Sequence, residues 1–395
     1  MKSWKLMNNA ISPEQRKRLS NFVLTADRFS QGDEVRRFEE QWSEWQGCKY
    51  SVFCNSGSSA NFLIVQAMKE LHGNTNHLWL APATTWATTV SPIMMAGQEL
   101  QLCDVTIPNM NLCLDSLKNI LYQYKQSFGA RPKFLFLAHL LGFNSMSDEL
   151  IHLCDENDIT ILEDCCESHG ATFSGKKIGN FGRASSFSFY YGHHMTTIEG
   201  GMVCTDDEEV YEKLLLIRSH GLLRELPPYM QVKYKDQKVD ENFTFMVPGY
   251  NMRSTDFNAV LGQMQLKQLD KHNNTRRDNF DVFANGLNKD KFYTDFKLEG
   301  NSSFCFPVIT KSTQEDTLAL RKYLESQGVE TRPIIAGNLY EHPFMDRVNQ
   351  YRHDKNAKVI HQNGFYIGNN HAVDTEDVTW LVEKLNAWEK VNSNG

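Results

Sequence analysis

The sequence predicts an α/β fold, a large, mostly parallel sheet covered by helices and followed by a smaller α+β unit. Two observations carry this. Between Tyr50 and Asp164, short apolar runs such as Leu78–Ala81, Lys133–Leu141 and Ile159–Asp164 alternate with helical stretches. Runs apolar on both faces belong to strands buried inside a parallel sheet. The chain, at 395 residues, is also long enough for two cores. The expected division is residues 1–250 for the large domain, with its N-terminal helices, and 251–395 for the small one.

Taken in order, Ser12 precedes Pro13, Glu14 and Gln15, a helix cap with proline at the first helical position. Leu19, Phe22 and Val23 give this helix a narrow apolar face. Val35, Phe38, Trp42 and Trp45 form one stripe of a second helix, ended by Gly47, and the stripe reads as packing. Tyr50–Cys54 is then a strand, Ser59–Leu71 a helix, and Leu78–Ala81 and Leu100–Val105 strands. A helix from Ser147 to Glu156 separates the next two runs. Residues Glu225–Asn242, polar and irregular around Pro227-Pro228, read as a surface loop, either a closing flap or a plain connection. A long helix from Ser254 to Leu287 leads to a strand (Ser303–Ile309), a helix (Gln314–Gln327), a strand near Val329–Pro333 and a last helix, Thr375–Val391.

Composition narrows the function. The formal charge is −7 with both signs interspersed, which offers no surface to nucleic acid or anionic membrane. The N-terminus does not read as a signal peptide, and no apolar stretch has the length of a membrane span. Nine cysteines without a CxxC pair suit reduced thiols, so the expectation is a cytoplasmic protein without a metal centre.

Several strand ends carry chemistry-bearing residues, where active sites of parallel sheets gather. Asn55-Ser56-Gly57-Ser58-Ser59-Ala60 joins a strand to a helix and has the small residues of a phosphate cradle, although such loops also serve as simple caps. Trp86 follows Leu80-Ala81-Pro82-Ala83-Thr84-Thr85 and is placed either to stack on a planar ligand or to fill the core. Asp164 ends a buried strand, where a carboxylate needs a partner; alone, it reads equally as a helix cap. Ser188 to Gly201 runs from a strand through His193 and His194 to Gly200-Gly201.

Together these segments resemble the DegT/DnrJ/StrS-type nucleotide-sugar aminotransferases, pyridoxal-phosphate enzymes of fold type I (aspartate aminotransferase-like). The frame of Ser188, Thr196, Thr197 and Glu199-Gly200-Gly201 around His193 is similar to that family's lysine loop, with His193 at the Schiff-base lysine position. The resemblance covers nearly the whole chain. It implies that Gly57, Ser58 and Ser188 bind the cofactor phosphate, Trp86 covers one ring face, Asp164 partners the ring nitrogen and Glu167 sits beside the ring hydroxyl. Gly249-Tyr250-Asn251-Met252-Arg253, followed by Ala259 and Gly262, matches a motif whose Asn reaches the neighbouring subunit's phosphate, which implies a homodimer with shared sites.

An imidazole cannot hold a Schiff base but moves protons near neutral pH. Pyridoxal or pyridoxamine phosphate should therefore bind noncovalently, with His193 as general base and His194 structural. Within the family, His at this position marks 3-dehydratases of 4-keto-6-deoxy nucleotide sugars. The branch with an iron–sulfur cluster needs four cysteines near and beyond this histidine. Only Cys204 and Cys305 lie beyond His193, too few and too scattered. The cluster-free branch, with GDP-4-keto-6-deoxy-D-mannose as its substrate, is similar in Gly192-His193-His194 through Gly201, in Leu162–Phe173 with Glu167, and in Thr331-Arg332-Pro333-Ile334. The resemblance implies that L-glutamate gives up its amino group, leaving 2-oxoglutarate, that the sugar loses its 3-hydroxyl, and that ammonia is released. Arg332, Arg253, Arg224 and His220 are candidates for the glutamate carboxylate or the diphosphate, and equally for structural ion pairs. The rival readings are a sugar aminotransferase that tolerates His and a non-catalytic regulatory homologue.

Overall fold

The computed structural model describes residues 4–7, 11–126, 131–234, 240–348 and 351–389. Helix α1 (Pro13–Thr25) opens with the expected cap: the Ser12 hydroxyl accepts from the Gln15 N–H, and the Gln15 side chain accepts from the Ser12 N–H. In α2 (Asp33–Gln46) Val35, Phe38 and Trp42 are fully buried, and Gly47 closes the helix at a φ of 85°. Their rings pack on Phe53, Phe187 and Phe189, so this stripe is core.

Strands and helices then alternate: β1 (Tyr50–Cys54), α3 (Gly57–Leu71), β2 (Leu78–Pro82), α4 (Ala87–Met95), β3 (Glu99–Cys103), α5 (Leu114–Gln126), β4 (Pro132–Ala138), α6 (Asp148–Glu156) and β5 (Thr160–Asp164). A small hairpin, β6 (Thr172–Phe173) and β7 (Lys176–Lys177), precedes β8 (Ser185–Ser188), β9 (Gly201–Thr205), α7 (Glu208–Arg218) and the single turn α8 (Pro228–Gln231). The seven-stranded sheet has the order β1-β9-β8-β5-β4-β2-β3. Only β9 runs against its neighbours; the other pairings are parallel. The register sets Asp164 beside Ala138 and Ser186, so the ends of β4 and β5 come level with β8. That alignment is what places the site.

The 31-residue helix α9 (Asp256–Gly286) leads into β10 (Cys305–Ile309), α10 (Gln314–Ser326), β11 (Thr331–Pro333), α11 (Lys355–Asn363), β12 (Gly364–Gly368) and α12 (Thr375–Ala387). Here the strands form a second, antiparallel sheet, β10-β12-β11. Among the described residues no helix is long and apolar enough to cross a membrane.

The structure differs from the sequence expectation in several places. The helices α5, α7 and α11 and the strands β6, β7, β9 and β12 are not among the expected elements. β9 and β12 are buried along their whole length and begin with glycine, so neither shows the alternation that marks a half-exposed strand. The Glu225–Asn242 segment is not simply irregular. It contains α8 and short helical turns, and Lys233 and Tyr234 both bond Glu212 of α7, at 3.3 and 2.5 Å. Residues 235–239 lie outside the described ones. The last helix stops at Ala387, short of Val391, which is also outside the described residues.

Candidate active site

A cavity of about 410 Å3 opens at the carboxyl ends of β1, β2, β4, β5 and β8, and residues around β11 and β12 close its other side. Eight of the twelve sequence-predicted residues line it: Gly57, Ser58, Trp86, Asp164, Glu167, Ser188, His193 and Arg332. They come from five separate segments, so the tertiary fold, not local sequence, assembles them.

One end of the cavity is the N-terminus of α3. Ser56 caps the helix, its hydroxyl accepting from the Ser59 N–H at 3.1 Å, and the Ser58 hydroxyl donates to Thr88 Oγ1 at 3.0 Å. A Cβ on Gly57 would lie 2.5 Å from Ser188 Cβ and 3.0 Å from Cys166 Sγ, so only glycine lets the helix end meet β8. Gly201 does the same for β9, where a Cβ would sit 2.2 Å from the Ser56 carbonyl oxygen. Exposed N–H groups, the helix dipole and two serine hydroxyls make an anion cradle.

Asp164 lies at the end of β5, nearly buried. Its Oδ2 accepts from Asn61 Nδ2 and from Thr89 Oγ1, each at 2.8 Å, and its Oδ1 accepts from the Cys166 N–H at 3.2 Å. Asn61 in turn accepts from the Ser186 hydroxyl. The carboxylate is therefore fixed in direction, and it faces the cavity. Its neighbour Glu163 points to the other face of the sheet. It accepts from the N–H groups of Gly179, Phe181 and Gly182 at 2.6–2.8 Å and from His139 Nε2 at 3.1 Å. Burial alone would raise the Glu163 carboxyl, but His139 and these N–H groups hold it below the usual range. His139 Nδ1 accepts from the Ser145 N–H at 3.0 Å, so this imidazole is a fixed cavity wall with both nitrogens engaged. Cys165 Sγ lies near this pair at metal-ligand spacing, but the donor atoms of His139 and Glu163 are already spent on hydrogen bonds.

His193 sits in the turn after β8, with its N–H donating to the Tyr190 carbonyl at 3.0 Å. Its ring lies nearly parallel to His169 at 6.3 Å and to Phe304 at 5.7 Å. Its Nδ1 is buried without a partner, which leaves Nε2 to face the cavity. Burial pushes the imidazole down to about 4, partly opposed by the Asp164 charge, so near neutral pH it is a free base. His194, 2 % exposed, stacks on His169 and Phe304, each at 5.1 Å, and does not line the cavity. Behind this stack Arg276 is wholly buried and donates through Nε to the Asn369 carbonyl.

Glu167 behaves in the opposite sense. Burial, with a smaller push from Asp164, raises its carboxyl to about 7, although the Leu141 N–H donates to it at 3.0 Å. Trp86, 55 % exposed, precedes α4 at the cavity mouth, and the indole is not core. Arg332 is exposed and lies 3.3 Å from Glu330.

Asn251, His220, Arg224 and Arg253 do not line the cavity. They share one neighbouring patch, tied by the backbone bridges Ser219–Asn251, Leu222–Phe245 and Cys54–Arg253. Within it Asn251 Oδ1 accepts from Arg253 Nε at 3.1 Å, and Arg224 lies over Phe243 while donating to the Asn242 carbonyl. Phe243, Phe245 and Tyr250 are each more than 60 % exposed there.

Sequence reasoning missed Asn61, Thr89, His139, Glu163 and Phe304. Asn61 left a signal: it is a polar residue on the buried face of α3, one turn past Gly57. The residues present fit a pyridoxal phosphate. The Gly57 cradle suits a phosphate, the directed Asp164 suits a protonated ring nitrogen, and an exposed indole lines the same cavity.

The family model described as "DegT/DnrJ/EryC1/StrS aminotransferase family" matches residues 10–386. GDP-4-keto-6-deoxy-D-mannose 3-dehydratase of Escherichia coli O55:H7 is 35% identical over 377 residues, 92% of this chain and 94% of that protein. A solved structure of E. coli GDP-4-keto-6-deoxy-D-mannose-3-dehydratase with bound hydrated PLP superposes with a TM-score of 0.89 at 30% identity, covering 98% of this chain and 100% of that one. A further structure of GDP-4-keto-6-deoxymannose-3-dehydratase, with a trapped PLP-glutamate geminal diamine, gives 0.87 at 31% identity and covers 97% of this chain and 100% of that one.

Proposed function

The chain belongs to the DegT/DnrJ/EryC1/StrS aminotransferase family, and we propose that within it the protein is a 3-dehydratase of a 4-keto-6-deoxy nucleotide sugar. The substrate is GDP-4-keto-6-deoxy-D-mannose, the amino donor is L-glutamate, and the products are the 4-keto-3,6-dideoxy sugar, 2-oxoglutarate and ammonia. The observation that carries this reading is His193: the cavity holds an imidazole where the resembled aminotransferases place their lysine. The dehydratase relatives support the substrate, and the PLP-glutamate adduct supports the amino donor. O-antigen dideoxysugar synthesis is the process this reaction would serve.

Pyridoxal or pyridoxamine phosphate, when bound, supplies the electron sink that makes a neighbouring C–H acidic and a β-hydroxyl a leaving group. Gly57, Ser58 and Ser188 would hold its phosphate, and Asp164 would keep its ring nitrogen protonated. Trp86 would shield one ring face, and Glu167, protonated near neutral pH, would donate to the ring oxygen. His193 Nε2 faces the cavity as a neutral base. It would take the proton from the carbon attached to the ring and pass it to the departing 3-hydroxyl.

We read the protein as a cytoplasmic homodimer with shared sites. Asn251, His220, Arg224 and Arg253 form an exposed patch rimmed by aromatic side chains, which suits service to a partner's cavity. All nine cysteines are free thiols, in keeping with a reducing compartment. The cavity between the two sheets supports a domain division near residue 250.

The deciding experiment incubates the protein with pyridoxal phosphate, L-glutamate and GDP-4-keto-6-deoxymannose, weighs the sugar product and assays ammonia. A 3-deoxy sugar with ammonia is expected. An amino sugar without ammonia would make this an aminotransferase.

A further inference from the structure

Away from the cavity, two thiols meet at the other end of the sheet. Cys48 follows the turn that ends α2, and Cys204 lies on β9 opposite Ser51 of β1. The Ser51 hydroxyl is 3.6 Å from Cys48 Sγ and 3.5 Å from Cys204 Sγ, so both sulfurs crowd one oxygen. The Cys48 thiol also lies 3.6 Å from the Tyr50 carbonyl oxygen, to which it donates. Cys204 is wholly buried. Cys48 is half-buried and opens on a cleft of about 300 Å3, with Arg183, Thr205, Asp206 and Asp207 in its walls.

We infer that Cys48 and Cys204 form an oxidisable dithiol, a site at which a peroxide converts the pair to a disulfide. The two roles are unequal. The neighbouring Cys204 thiol, then the Ser51 and Ser43 hydroxyls, hold the Cys48 pKa below the usual thiol value despite burial, whereas burial pushes Cys204 well up. Cys48 is thus the thiolate and the accessible nucleophile, and Cys204 is the resolving thiol beside it. The Cys48 thiolate attacks one peroxide oxygen; the O–O bond breaks, hydroxide leaves, and Cys48 becomes a sulfenic acid. Cys204 sulfur then displaces the sulfenic hydroxyl, and its proton goes to that departing hydroxide as water. Overall, two thiols and one peroxide give one disulfide and two waters, with sulfur oxidised and the peroxide oxygens reduced. The new bond would load β9, which begins at Gly201 against the phosphate cradle.

The test treats the reduced full-length protein with hydrogen peroxide, alkylates the free thiols and maps peptides by mass. The expected result is a Cys48–Cys204 cross-linked peptide that disappears with dithiothreitol. Recovery of Cys48 and Cys204 as separate alkylated peptides, after peroxide has oxidised other thiols, would overturn the proposal. In Cys204→Ala, dimedone should label Cys48; labelling elsewhere with Cys48 untouched counts against it. A measurement that needs no variant is the alkylation rate. Near neutral pH Cys48 should react about tenfold faster than the half-buried Cys166, whose thiol burial pushes well up, as its larger thiolate fraction requires. Equal rates at the two would refute the assignment of the nucleophile.

Discussion

Glu167 gives the sharpest quantitative test of the cavity, because its cost is readable without substrate. Its carboxyl rises from 4.5 to about 7 in the folded protein. Such a shift corresponds to about 3 kcal/mol favouring the protonated form, an upper limit because solvent reaches part of the side chain. The sign follows from proton counting. Below about pH 4.5 the group is protonated in both states. Between there and about pH 7 the unfolded chain gives up the proton while the folded chain keeps it, so stability falls as pH rises. Above the folded pKa the penalty is constant.

Glu167→Gln removes this titration while keeping an oxygen for the Leu141 N–H, which donates at 3.0 Å. The variant should gain on the wild type as pH rises, by about 2–3 kcal/mol between about pH 4.5 and pH 8. Urea unfolding of the cofactor-free proteins, followed by tryptophan fluorescence across that range, measures the gap. Other titrating groups are common to both proteins and cancel. A gap that stays flat with pH, or that shrinks toward alkaline pH, would refute the reasoning that burial holds Glu167 protonated.

Four further outcomes follow from the same geometry. His193→Asn should keep cofactor binding, read by absorbance, and lose about 100- to 10,000-fold in sugar dehydration, the usual worth of a general base; unchanged dehydration would remove His193 from the reaction. His193→Lys should trap the cofactor covalently, seen by borohydride reduction and intact mass, while the packed His169 and Phe304 rings keep amino-sugar yield low. Gly57→Ala forces a methyl to within 2.5 Å of Ser188 Cβ, and overpacking of about 1–3 kcal/mol should weaken cofactor affinity about tenfold in an equilibrium titration. Glu163→Ala leaves His139 Nε2 and three backbone N–H groups without an acceptor; a loss of about 3–5 kcal/mol in urea unfolding is expected.

How far the sequence reveals this site depends on whether function leaves a local mark. Gly57, Ser58, Asp164, Ser188 and His193 sit at strand ends, where a parallel sheet must put its site, and each interrupts an apolar pattern. The parallel sheet is legible for the same reason: its strands are apolar on both faces. β9 and β12 escape because glycine opens each and leaves an apolar run of only a few residues, Met202–Cys204 and Phe365–Ile367. α7 was legible and was missed, since Asp207 caps a helix with Val210 and Leu214 one turn apart on its buried face. Asn61 and Thr89 could not be tied to Asp164 from sequence, because the contacts span 103 and 75 residues. Glu163 immediately precedes Asp164 in the strand and has no partner that can be read locally. Only the register shows that it turns to the opposite face and binds the His139 wall.

The two titratable groups that matter most to the proposed reaction face one cavity and are perturbed in opposite directions by the same cause. Burial lowers the His193 imidazole to about 4 and raises the Glu167 carboxyl to about 7, since in each case it disfavours the charged form. In ordinary solvent near pH 6 the carboxyl would be ionised and the imidazole largely protonated. In the cavity both are neutral. A site arranged this way has a base ready to accept and an acid ready to donate, and neither of these two groups brings a charge to desolvate when a cofactor and a diphosphate sugar enter. A lysine at position 193 would bring back either a buried ammonium or a covalent bond to the cofactor. The substitution and the dry stack of His169, His194 and Phe304 around it therefore belong together: the stack makes an imidazole neutral enough to serve as a base, and a noncovalently held cofactor is free to be exchanged once its amino group is spent.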